Sequence, residues 1–254
     1  MSWAARRRLI ILSIFGVAVA IVLAIIFTTV FYKTPSCTDG VRNQSEEGID
    51  CGGSCAYLCT ALLQPPTVLF TKVFTNTAGR ADIVASIVNK NTAAAAKNIP
   101  YSVTLYDADH ILVQEVSGAL DLPPGATETV FIPGIVSGKQ AVATAFLDIA
   151  PSAPQWFTMT TDPRVIPSVS NVTQGGTPSA PRIEAILANG SATALENVQV
   201  VVLVRDTRND VIAASKTLVS TIPAQGTATA IFTWNGAFSG TTASIEVSPI
   251  IPLP

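Results

Sequence analysis

Residues 9–32 run for 24 positions without a charged side chain, and no other feature constrains the chain as tightly. Ile, Val, Leu, Ala and Phe dominate the run. As a helix rising about 1.5 Å per residue it is roughly 36 Å long, enough to cross a hydrocarbon layer of about 30 Å with some tilt. Arg6, Arg7 and Arg8 stand before it, while beyond it a single Lys33 soon gives way to Asp39, Glu46 and Glu47. Basic flanks stay in the cytoplasm, so the pattern predicts a single-pass anchor with residues 1–8 as a cytoplasmic stub and the rest outside. A cleaved secretory signal has the same basic start but an apolar stretch of only about 7–15 residues and a small-x-small exit. Here the exit, Phe27-Thr28-Thr29-Val30-Phe31-Tyr32, is bulky, and the run reads as a signal anchor in which Phe31 and Tyr32 form the far aromatic belt.

With that segment set aside, the formal net charge of −2 offers no basic stripe for phosphates, and nucleic acid is not expected as a partner. All four cysteines, Cys37, Cys51, Cys55 and Cys59, fall within residues 33–64. An even count in an exported, apolar-poor stretch predicts two disulfides, with three pairings open; zinc on four thiolates is the rival, disfavoured where thiols are oxidised. Asp39, Asn43, Glu47 and Asp50 admit two readings. They are oxygen ligands for calcium, or turn formers that cap the backbone through their own side chains. No other cofactor is expected.

The order Cys37-Thr38-Asp39-Gly40, Asn43, Glu46-Glu47-Gly48-Ile49-Asp50-Cys51-Gly52-Gly53-Ser54-Cys55 and Cys59 resembles an extracellular motif of the form C-x-D-G-x-x-N-x-x-E-x-G-x-D-C-G-G-x-C-x-x-x-C. The resemblance implies a surface or secreted protein, commonly bacterial.

After Gln64-Pro65-Pro66 the pattern changes to short β-rich runs. Ile99, Tyr101, Val103 and Leu105 alternate with polar or smaller residues, and Val198, Val200, Val202 and Val204 do so about a hundred residues later. Asn89 aligns with Asn189, Asp107 with Asp206, Gly125 with Gly226, and Phe131 with Phe232, which implies one fold used twice. The expectation is a mainly β protein: two tandem immunoglobulin-like β-sandwich domains, 65–150 and 163–254, joined by a linker, 151–162. Ala228, Ala230, Phe232 and Trp234 are expected to face the second core.

Val103-Thr104-Leu105-Tyr106-Asp107, with the Pro-Gly turn and Phe strand downstream, resembles the FxLYD domain, an immunoglobulin-like module of prokaryotic surface proteins. Val stands where the family has its signature Phe, and the second copy reads Val202-Leu203-Val204-Arg205-Asp206. The resemblance implies a structural or binding role and brings no catalytic residues.

His110, the one histidine, follows Asp107-Ala108-Asp109 at a predicted hairpin and lacks a nucleophile elbow to serve; it reads as a turn residue, and no enzyme activity is expected. Trp156 and Phe157 are expected to pack at a strand end or between domains rather than stand out as a binding anchor. The expected role is that of an envelope protein binding or scaffolding other envelope proteins or cell-wall glycans. The alternative is an accessory subunit of a secretion or pilus-type assembly, with Gly16, Ala18 and Ala20 allowing close helix packing.

Overall fold

A computed structural model describes residues 3–31, 36–43, 45–75, 80–136, 141–151 and 154–254. Its contacts divide the chain into two units, residues 1–55 and 56–254. The first unit holds α1 (Trp3–Phe31), a 29-residue helix with no acidic residue in its first turn and none basic in its last. Its segment Arg6–Thr29 has a mean hydropathy of 3.2 and no buried part. An all-round apolar helix left bare in this way suits a lipid surrounding. Its length and composition fit a membrane anchor or a signal sequence. The few hydroxyls are satisfied within the helix: Ser13 Oγ donates to the Leu9 carbonyl, and Thr29 Oγ1 to that of Ile25. Tyr32 and the side chain of Phe31, assigned above to the far aromatic belt, lie outside what is described.

The second unit is built from antiparallel sheets. In chain order the first seven strands are β1 (Thr67–Thr75), β2 (Arg80–Val88), β3 (Ala94–Tyr106), β4 (Leu112–Leu122), β5 (Thr127–Val136), β6 (Thr144–Asp148) and β7 (Trp156–Thr158). They form two sheets, β1-β2-β5 and β4-β3-β6, with β7 pairing to the start of β3. The next six are β8 (Ser168–Thr177), β9 (Ala180–Ala188), β10 (Leu195–Arg205), β11 (Val211–Ile222), β12 (Thr227–Thr233) and β13 (Ser244–Ile250). Their sheets, β8-β9-β12 and β11-β10-β13, repeat the same connections strand for strand. Each pair of sheets closes over its own core. Ile83, Ile87, Ile99, Val103, Leu105, Leu122 and Trp156 fill the first. Ile183, Leu187, Val200, Val202, Ile222 and Phe232 fill the second. Residues 156–158, assigned above to a linker, therefore belong to the first module, because Trp156 pairs with Ala96 and is almost wholly buried in that core.

Two buried asparagines explain why the repeat bends where it does. Asn89 Nδ2 donates to the carbonyls of Ala94 and Pro123, and its Oδ1 accepts the Asn91 N–H. Asn189 makes the same corner with Thr193, Pro223 and Ser191. A buried carbonyl without a partner is costly, so one amide that serves several fixes the turn. The hairpins also repeat. Asp107 Oδ1 accepts the N–H groups of Asp109 and Ile111, as Asp206 Oδ1 accepts those of Arg208 and Asp210.

The alignment of the repeat read from the sequence slips by one residue at its downstream end. Gly125 N–H donates to the Asn91 carbonyl and Gln225 N–H to that of Ser191, and both residues have left-handed φ values, 61° and 52°. Gly125 therefore matches Gln225 rather than Gly226. By strand register Phe131 faces Val84 while Phe232 faces Ile183, so the counterpart of Phe131 is Ile231. A slip of one reverses the face of a strand, and the consequence is large here: Phe232 lies in the second core, whereas Phe131 points the other way.

Phe131 points into a third cluster. Val84 and Phe131, with Phe70 and Phe74 half-buried beside them, meet Val201, Leu203, Val211, Ala214 and Ile250. On β2 these are the positions between Ile83, Ala85 and Ile87; on β10 they are the positions between Val200, Val202 and Val204. The outer face of β1-β2-β5 therefore packs on the outer face of β11-β10-β13, and the modules stack into four layers. Strands apolar on both faces belong in such a doubly covered position.

Candidate functional site

The cysteine-rich loop was the first site expected from the sequence. Cys37 is bonded to Cys55 with Cα atoms 5.7 Å apart. Cys51 and Cys59 are disulfide-bonded as well and no cysteine is free, which selects one of the three pairings. The acidic side chains hold this loop through backbone amides. Asp39 accepts from the N–H groups of Ser36 and Val41, at 3.1 and 2.9 Å, and from Asn43 Nδ2 at 2.8 Å. Both oxygens of Asp50 accept the Gly40 N–H. Glu47 lies against Gly52, whose place a side chain would contest. At Gly53, φ is +58° and a Cβ would collide with the Ser45 carbonyl, so glycine is required.

The four expected calcium ligands are thus brought together only in part: Asn43 reaches Asp39, while Asp50 serves Gly40. Among the described residues, Asp39, Glu47 and Asp50 do not gather three ligand atoms within 4.8 Å. The group that does, Cys37, Glu46 and Cys55, has both sulfurs in the disulfide and so offers no thiolate. Glu46, which was not among the four expected ligands, is the buried carboxylate of this loop and accepts the Asn43 N–H at 3.1 Å. Among the described residues, Asn43 Oδ1 is buried without a hydrogen-bond partner.

Two open clefts flank the third hydrophobic cluster, and neither was foreseen. One, of 420 Å³, is lined by Phe74, Trp234 and Phe238 with Lys72 and Asp82 at its polar side. Trp234 and Phe238 meet edge to face at 4.9 Å, and Trp234 Nε1 donates to the Ala214 carbonyl at 3.1 Å. Trp234 therefore packs against the second core, as its place in the row required, and also lines this cleft. Asp82 Oδ1 accepts the Gly134 N–H, which orients its carboxylate. A mostly apolar concavity with a few fixed polar groups is the usual form of a ligand site.

The other cleft, of 390 Å³, contains Asp121, Glu128, Arg164 and Lys216. Arg164, from the segment between the modules, has a side chain only 6% exposed. Its guanidinium reaches Asp162 at 2.8 Å, Glu128 at 3.4 Å and the Ile251 carbonyl at 2.6 Å. Asp121 Oδ2 accepts the Leu253 N–H at 2.7 Å. Burial pushes the Glu128 carboxyl above its ordinary range, although Arg164 pulls the other way. The hydrogen bond from Arg164 holds Asp162 below its ordinary range. This group joins the first module to the C-terminal segment of the second. His110 takes no part in either cleft: it is exposed, with φ at 61°, in the hairpin turn held by Asp107.

Compared with protein-family models, the chain matches none, and no curated protein matches it. The functional reading therefore rests on its own residues.

Proposed function

We propose that this is a cell-envelope protein, anchored by α1 with its N-terminus in the cytoplasm, whose disulfide-bonded loop and paired modules stand outside the membrane and bind rather than catalyse. The modules are read as immunoglobulin-like and of FxLYD type, which accords with the Val103–Asp107 sequence and with the strand connections seen twice. The observation that carries the tethered reading is the apolar segment Arg6–Thr29 of α1, which has no buried part, in a chain that uses all its cysteines in disulfides.

The cleft of Phe74, Trp234 and Phe238 is the binding place. Aromatic rings offer flat apolar faces to the C–H faces of sugar rings, and Lys72 and Asp82 supply hydrogen bonds at the margin, so a cell-wall glycan suits it better than a charged peptide. The test is sedimentation of the full chain, in detergent micelles, with insoluble cell-wall glycan. Wild type should pellet with the glycan, and Phe238→Ser should lose about tenfold in affinity, since one aromatic anchor is worth more than about 1 kcal/mol. A wild-type chain that stays in the supernatant would remove the glycan reading. Protease added to intact cells checks the orientation: if residues 56–254 survive there and are cut only after lysis, the outside placement is wrong.

A further inference from the structure

A sheet edge presents free N–H and C=O groups to any passing strand, and folded chains blunt such edges with charge, proline, bulges or brevity. The edges of these four sheets are so treated, with one exception. β1 carries Lys72 and a register shift after Val68; β5 carries Glu128 and Pro133; β4 carries Glu115 and Asp121. β6 and β7 have only five and three residues. β8 is bent at left-handed Asn171, where its register shifts; β11 carries Lys216; β13 carries Glu246 and Pro249. β12, Thr227-Ala228-Thr229-Ala230-Ile231-Phe232-Thr233, has no charge and no proline. It pairs with β9 in seven unbroken steps, and it stands last in its sheet.

The residue order of β12 also suits pairing with itself. Laid antiparallel about Ala230, the strand sets Thr227 against Thr233, Ala228 against Phe232, and Thr229 against Ile231. Even-numbered residues meet even-numbered ones, so the buried side of each copy, Ala230 and Phe232, continues into the buried side of the other. Threonine and β-branched cross-strand pairs are favourable, and no like charges meet.

We propose that β12 is a self-pairing edge: two copies of this chain join β12 to β12 across a two-fold axis at Ala230, giving one continuous six-stranded sheet. Such an interface uses the same patch on both partners and closes at a dimer. Open-ended growth by the face-to-face contact that joins the two modules is disfavoured. By strand register the second module has Ser170, Gly175 and Glu184 where the first has Phe70, Phe74 and Val84.

The test is a charge swap in the full chain, read by sedimentation velocity in detergent over a concentration series. In the proposed dimer Thr229 of one copy faces Ile231 of the other, twice. Wild type should dimerise. Thr229→Lys with Ile231→Lys sets lysine against lysine and should weaken the dimer by about tenfold or more. Thr229→Glu with Ile231→Lys sets opposite charges face to face and should restore it. Both positions are exposed, so all three proteins should unfold at similar temperatures. A monomeric wild type overturns the proposal. So does equal dimer content in all three, which would place the contact elsewhere, or equal loss in both variants, which would show no dependence on the sign of the charge.

Discussion

Replacing Leu203 by alanine tests the stacking of the modules. Leu203 lies on β10, 3% exposed, and faces away from the core of its own module. Were the modules separate beads, this face would be wet and the change worth no more than about 0.5 kcal/mol. In the stacked arrangement three buried carbon atoms are removed. At about 0.8 kcal/mol each the transfer loss is about 2.4 kcal/mol, and an unfilled cavity raises the total toward about 5 kcal/mol. Thr104, which holds the corresponding place on β3 and is half-buried, supplies the internal control through Thr104→Ala. Denaturation of the full chain, followed by tryptophan fluorescence, reads both modules at once, since Trp156 sits in the first core and Trp234 beside the second. The midpoint should fall far more for Leu203→Ala than for Thr104→Ala. Equal shifts of the two variants would refute the four-layer arrangement.

Arg164→Ala should cost on the order of 2–4 kcal/mol in the same denaturation experiment, because Glu128 would be left without its cation. The raised carboxyl of Glu128 gives a pH signature: ionising it opposes the fold, so its contribution is present at low pH and is lost as pH rises through its folded value. Stability measured upward from about pH 4.3, the ordinary glutamate value, should therefore decline, and Glu128→Gln should flatten that decline. Asp162, held low by Arg164, acts in the opposite sense and loses its contribution as pH falls below the ordinary aspartate range. Asn189→Ala should cost on the order of 1–3 kcal/mol, since it strips the buried carbonyl of Ile222 and the part-buried ones of Thr193 and Pro223 of a donor, and Asn89→Ala should cost at least as much.

Strand identity and the repeat were legible because alternation and turn chemistry are local. Val103 and Leu105 sit in the first core as their spacing required, and Asp107 and Asp206 hold equivalent turns. The stacking was also written in the chain, in the unbroken run from Val200 to Val204, but a search for alternation counts only one face of a strand. The one-residue slip that matched Phe131 to Phe232 hid the same fact by placing an interface residue in a core. Trp156 fell within the expected linker, 151–162, because its pairing with β3 is non-local. The cysteine pairing is one of three that the spacing allows, and the Arg164 group draws on Glu128 and Ile251 from distant positions, so no local pattern announces either.

The doubly covered strands also bear on biosynthesis. The first module is made before the strands that cover its outer face exist. At about 5–20 residues per second, the roughly one hundred residues that follow take on the order of 5–20 s to appear. Through that interval Val84 and Phe131 face water or whatever else is at hand, so the nascent half-protein is the species most exposed to mispairing, and a chain cut short after β7 should be far less soluble than the whole.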